Sequence, residues 1–284
     1  DLFFQWSREN ESEFLMNKAS YALISVLKNE WPTYWPNFMH DFFLECKNPP
    51  QTIKNGLKLL SILCEIYEFP DEMLTNERMN ELTQALENEY NTIFLFLESV
   101  FNETNDFDII SQALDTLSHY LRWMDLQTIT SAKLCFNLVK NLFPYQEMRY
   151  AVLKCFDSIA TNIYAIVDQN LIQIFELMVT SIQQTLDQAK EPITVVYSNQ
   201  DMNHQMILTL GHFFVLDQMG LFQGIMTDFL RAALIWFVQL TEVCSDETFN
   251  IAVEFWLILL KTFNLEANRI QPPKDIIYQL QRIF

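Results

Sequence analysis

Asp41 and Glu45 fall one helical turn apart with His40 beside them, a set that can seat a divalent metal. A helical zinc site of the H-E-x-x-H kind needs a second histidine one turn away, and there is none, so the trio reads better as a surface cluster. His119, His204 and His212 stand alone and read as core or surface residues. Serine, histidine and acids are all present, but no Gly-x-Ser-x-Gly elbow or other ordered nucleophile motif brings them together. The five cysteines, Cys46, Cys64, Cys135, Cys155 and Cys244, are odd in number and widely spaced, with no CxxC. They read as small buried hydrophobes in a reducing compartment. No catalytic residue, metal ligand or cofactor is expected, and the chain reads as a non-enzyme.

The remaining charged residues point to partners. Thirty-six acidic residues against 18 basic ones give a formal charge of −18, which argues against nucleic acid or an anionic membrane and for a basic protein. No apolar run reaches the roughly 18–20 residues that span a bilayer. With only four glycines in 284 residues, hairpins, phosphate loops and a Rossmann turn are excluded, whereas an all-helical chain fits. There is no initiator methionine and no signal peptide pattern, and the chain reads as a fragment of something longer.

The elements are organised around Glu30-Trp31-Pro32-Thr33-Tyr34-Trp35-Pro36-Asn37-Phe38. Each Trp-Pro step reads as a helix stop followed by a restart, because proline disfavours helix in the residue before it and is tolerated in a first turn. Trp31 and Trp35 are expected to wedge into the corner, with Phe38 opening the next helix. Upstream, residues 14–30 place Leu15, Ala19, Ala22, Leu23, Val26 and Leu27 on the expected inner face. Downstream, helices are expected over 36–46, from Ile53 to Pro70, and in one long run over 77–102. Its partner carries Ile110 to Leu121 and is capped at Asp106 or Asp108. Residues 127–143 and 147–164 follow, split at Pro144, then a helix capped by Asp168, a polar or extended link over 190–201, and helices to residue 265. The 24 phenylalanines at helical spacing read as core.

Helix pairs recurring about every 40–55 residues without a consensus match two-helix HEAT repeats better than arrays of about 33 or 34. The expected fold is all-α, a right-handed α-solenoid of HEAT-type antiparallel helix pairs running as one array over 1–284. Residues 1–32 would hold the second helix of a preceding repeat. Pairs would follow at 33–69, 77–123, 126–164, 168–217 and 221–265, with a further repeat starting at 274–284. Second helices would form a concave face left for a partner.

The corner EWPTYWPNF closely resembles the EWPxxWPxF corner of the nuclear exportins for leucine-rich export signals, members of the importin-β superfamily. The resemblance continues in order through Glu65-Ile66-Tyr67-Glu68-Phe69, Leu114 to Trp123, Arg149 with Leu153-Lys154-Cys155, Tyr197-Ser198-Asn199, Glu254-Phe255-Trp256 and Gln271-Pro272-Pro273-Lys274. The link between Leu265 and Pro272 is shorter than in the family, and residues 1–13 match nothing nameable.

The resemblance implies a carrier that binds the small GTPase Ran in its GTP form together with cargo bearing leucine-rich export signals. It implies passage through the pore by way of nuclear pore proteins, and shuttling between nucleus and cytoplasm. The cargo groove would lie outside this segment, and the segment would face Ran. Ran-facing carboxylates would be Glu65, Glu68, Asp71 and Glu72 in an early repeat and Asp246, Glu247 and Glu254 in a later one. Each has the alternative reading of a solvated helix face or helix cap. An importin of the same superfamily, or a HEAT scaffold unrelated to transport such as a phosphatase-scaffold subunit, is the alternative for the whole.

Overall fold

The apolar periodicity resolves into thirteen α-helices and no strand among the described residues. The computed structural model describes residues 13–46, 50–68, 74–125, 129, 134–162, 169–216, 228–264, 274 and 278. The chain divides into two compact units, residues 1–124 and 125–284. No helix of the described residues is long and apolar enough to cross a membrane.

The first unit holds α1 (Glu13–Glu30), α2 (Phe38–Glu45), α3 (Pro50–Glu68), α4 (Asn76–Asn88), α5 (Tyr90–Glu103) and α6 (Phe107–Leu121). Helix α3 packs between α1 and α6, while α2 lies against α3 and α5 against α6. The layer α1, α3, α6 is thus a row of second helices, backed by first helices α2 and α4–α5. This is HEAT-type pairing.

The second unit repeats the plan. It comprises α7 (Leu134–Asn137), α8 (Arg149–Ala160), α9 (Gln169–Ala189), α10 (Ile193–Val196), α11 (Gln200–Val215), α12 (Asp228–Val243) and α13 (Asp246–Asn264). Its row of second helices is α8, α11, α13, with α9 packed against α12 behind it.

Aromatic side chains fill both interiors. Trp31, Phe38, Phe42, Phe43 and Phe96 touch in succession, at 4.9–6.4 Å between ring centroids. Phe175, Phe213, Phe214, Phe237 and Trp256 do the same in the second unit.

The corner differs from expectation in its wedge. Trp31 is 1% exposed and meets Phe38 edge-on, whereas Trp35 is only half-buried and its Nε1–H donates to Asp41 Oδ2 at 3.2 Å. Asp41 therefore serves the corner. Helix α1 ends at Glu30 and its last carbonyls are capped from α4, in the second repeat after it. Arg78 Nε donates to Lys28 O at 2.9 Å and its Nη2 to Trp31 O, while Glu81 holds the guanidinium and accepts from Thr33 Oγ1 at 2.7 Å. A cation at a helix C-terminus is favourable in the field of the helix dipole.

Four other expectations are corrected. Helix α1 buries Met16, Ser20, Ile24 and Leu27, leaving Leu15, Ala22 and Val26 exposed. The helix is apolar on two stripes, and burial of Trp31 at its end selects the one in register with it. The run over 77–102 is two helices broken at Glu89, whose N–H turns back to Leu86 O. Asn88 and Asn91, both weak helix formers, flank the break, and Tyr90 turns inward against Tyr120. The helix before Pro144 widens into a π turn over Leu138–Leu142, with Phe143 N–H reaching Leu138 O. The link over 190–201 contains α10, pinned by buried Ile193 and Tyr197.

Asp106 is the cap of α6, accepting from Asp108 N–H at 2.9 Å. The expected cap at Asp168 lies outside the described residues. Cys46, Cys64, Cys135 and Cys155 are buried free thiols, and Cys244 is half-exposed.

Candidate protein-docking face

A second helix in such a layer has one side against its first helix and two flanks against neighbouring second helices, which leaves one outward stripe. On α3 that stripe is Lys54, Lys58, Ser61 and Glu65, at steps of four, three and four. On α6 it is Ser111, Asp115, His119 and Arg122. In the second unit the stripes are Tyr150, Lys154, Asp157 and Thr161 on α8, His204, Leu208 and His212 on α11, and Glu247, Asn250, Glu254, Leu257 and Lys261 on α13. These faces mix both signs of charge.

Side chains on the flanks fix each helix against the next. Thr116 Oγ1 donates to Leu57 O at 3.1 Å, Tyr120 Oη–H to Leu60 O at 2.9 Å and Gln112 Nε2–H to Lys54 O at 3.0 Å. In the second unit Thr209 Oγ1 donates to Leu153 O at 3.3 Å. Beside it His212 Nδ1 meets Asp157 Oδ1 at 2.7 Å, its ring edge-on to Phe255, and His204 Nδ1 meets Thr248 Oγ1 at 2.9 Å. These histidines tie helices together. Among the described residues no three His, Cys, Asp or Glu side chains gather into a group that could hold a metal ion.

The signal for this ladder is present in the sequence and easily missed. Gln112 to Leu117 reads QALDTL and Gln205 to Leu210 reads QMILTL, the same Q-x-x-x-T-L. In each the threonine bonds both the preceding second helix and the glutamine carbonyl one turn back.

The sequence-derived acidic candidates separate. Glu65 is half-buried on the α3 stripe and its Oε1 accepts from Tyr21 Oη–H at 3.1 Å. That bond, then burial and the carboxylate charge, raise the Tyr21 pKa above its ordinary value. Glu68 closes α3, but its side chain, like Asp71 and Glu72, lies outside the described residues. Asp246 and Glu247 are exposed in the first turn of α13, behind a Ser245 cap whose Oγ accepts from Thr248 N–H at 3.4 Å. Carboxylates there are favourable for the helix itself. Glu254 is exposed two turns further along the stripe of Glu247. Lys54, Lys58, Lys154 and the two bridging histidines were not anticipated on this face.

The family model described as "Exportin 1-like protein" matches residues 12–156, just over half of the chain, from the start of α1 into α8. The chain belongs to the exportin 1-like family. Exportin-1 of Drosophila melanogaster is 25% identical over 256 residues, 88% of this chain and 24% of that protein. Protein EXPORTIN 1B of Arabidopsis thaliana is 24% identical over 96% of the chain, and Exportin-1 of Schizosaccharomyces pombe 22% identical over 92%. The chain spans about a quarter of the length of these relatives. Membership in the exportin 1-like family places it in the importin-β superfamily, in keeping with the HEAT-type pairs of both units.

Proposed function

We propose that this chain is a segment of a nuclear export receptor that binds Ran in its GTP form cooperatively with cargo carrying leucine-rich export signals. The observation that carries the reading is the alignment of exportin-1 relatives along nearly all of the chain. Ran docks on the outward stripes of the second helices, and the export signal binds outside this segment. The parent receptor passes the pore by engaging nuclear pore proteins and shuttles between nucleus and cytoplasm.

Within this reading Glu254 and Glu247 of α13 and Glu65 of α3 contact Ran, supplemented by Asp246 at the start of α13 and by Glu68, Asp71 and Glu72 beyond α3. Glu65 is held in place by Tyr21 and needs no rotamer ordering on binding, which lowers the entropic cost of using it. The mixed charge of the stripes fits a partner surface that itself carries both signs.

The deciding experiment measures the affinity of the full-length parent for Ran loaded with GTP and with GDP, each with and without a leucine-rich export peptide. Mutual strengthening by Ran-GTP and peptide is expected, because linkage requires each ligand to raise the other's affinity by the same factor. Ejection of cargo by Ran-GTP would identify an importin instead. Loss of all nucleotide selectivity would leave a helical scaffold.

A further inference from the structure

Between α2 and α5 of the first unit lies an open groove with a volume of about 610 Å³. Its floor is apolar, formed by Phe43, Phe96 and Val100, all buried. One wall is a single stripe of α5 running from Thr92 through Leu95 to Glu103, a length of about 16 Å at 1.5 Å per residue. Leu95 stands on the rim with 65% of its surface exposed, an apolar side chain left largely in water. The groove is within the size range of about 300–1,000 Å³ typical of ligand sites.

Among the described residues Glu103 is the one charged side chain lining the groove, and it makes no hydrogen bond or ion pair with another of them. The cleft thus offers an apolar floor and an apolar rim at Leu95, edged by the hydroxyls of Thr92, Ser99 and Thr104, with a carboxylate at one end. We infer that it is a docking site for a peptide segment of a partner protein that presents large apolar side chains along one face and an arginine or lysine at its end. The chain's charge of −18 works against a second copy as occupant and for a cationic one. Ile53 of α3 and Ile109 of α6 complete the lining, but none of the outward-stripe residues of α3 or α6 takes part, so this inference is independent of the Ran reading.

The test uses two fluorescein-labelled amphipathic peptides with leucine and phenylalanine on one face, one ending in arginine and the other in glutamate. Binding to the chain is followed by fluorescence anisotropy. The arginine peptide is expected to bind more tightly, with affinity falling as salt is added. Leu95→Asp, a rim substitution checked for an unchanged melting temperature, is expected to weaken it at least about tenfold. Glu103→Lys is expected to transfer the preference to the glutamate peptide. Absence of binding by either peptide, equal binding of both, or indifference to Leu95→Asp would overturn the assignment. So would sedimentation showing a dimer that Leu95→Asp dissolves, since a second copy would then be the occupant.

Discussion

At the scale of single residues, the two tryptophans of the corner have similar sequence contexts and different physical roles. Trp31 is enclosed, so Trp31→Ala leaves a cavity and is expected to cost about 3–5 kcal/mol in urea unfolding. Trp35 is half in solvent and contributes one indole hydrogen bond to Asp41, so Trp35→Ala should cost about 1–2 kcal/mol. Equal costs would mean that the corner relaxes around either loss. The Trp-Pro pattern revealed the corner, because proline acts through the local backbone. Phe38 meets both rings edge-on, whereas Arg78, 47 positions along the chain, bonds only the Trp31 carbonyl, and no local pattern carries that.

Buried thiols make a second prediction at this scale. Burial, reinforced at Cys46 by the charge of Glu45, pushes the Cys46 thiol from its ordinary 9.0 up to about 12, and burial does the same at Cys135. A pKa raised by folding favours the protonated form, so the contribution is fully present below pH 9.0 and lost as pH rises towards about 12. The urea midpoint is expected to stay level up to about pH 8.5 and to fall steadily above it. A midpoint unchanged up to pH 11 would show that these thiolates are solvated without unfolding.

At the scale of elements, how closely helices approach decides the sign of glycine substitutions. A Cβ on Gly211 of α11 would stand 2.3 Å from the Phe255 ring of α13. In an open helix Gly→Ala gains about 1 kcal/mol, but here the rigid ring must move, and Gly211→Ala is expected to cost about 1–3 kcal/mol by thermal unfolding. A rise in melting temperature would mean that α11 and α13 are further apart.

Lys190 gives the opposite case. It follows α9 with φ of 56°, a left-handed conformation suited to glycine at a helix end. Lys190→Gly is expected to stabilise the chain by about 1 kcal/mol in the same assay. Sequence periodicity showed the existence of these helices, and Pro144 and Pro192 marked real interruptions. The break at Glu89 was invisible because Leu82, Leu86, Tyr90 and Ile93 keep helical spacing across it, and the packing of Tyr90 against Tyr120 is a long-range contact that no local pattern carries. The ladder was hidden for a different reason: Thr116 and Thr209 resemble ordinary core-edge residues until their bonds to the neighbouring helix are seen.

At the scale of the whole molecule, the acid excess matters more than any carboxylate on the docking face. Lys54, Lys58 and Lys154 lie on the stripes beside Glu65 and Asp157, so the face has no uniform sign, while the chain as a whole carries −18. A single exposed pair contributes about 0–1 kcal/mol, whereas the summed field acts over many ångströms at low salt. On the proposed reading, a Ran surface with a positive patch would therefore be steered in by the total charge and held by the contacts. Association of the parent receptor with Ran-GTP, followed by stopped flow from about 0.05 to 0.5 M salt, is expected to slow about tenfold while dissociation changes less than about threefold. Glu254→Lys alone should shift the on-rate only slightly, because it removes a small share of the field. An on-rate indifferent to salt, or one that collapses on Glu254→Lys, would locate recognition in a few contacts and remove the field from the mechanism.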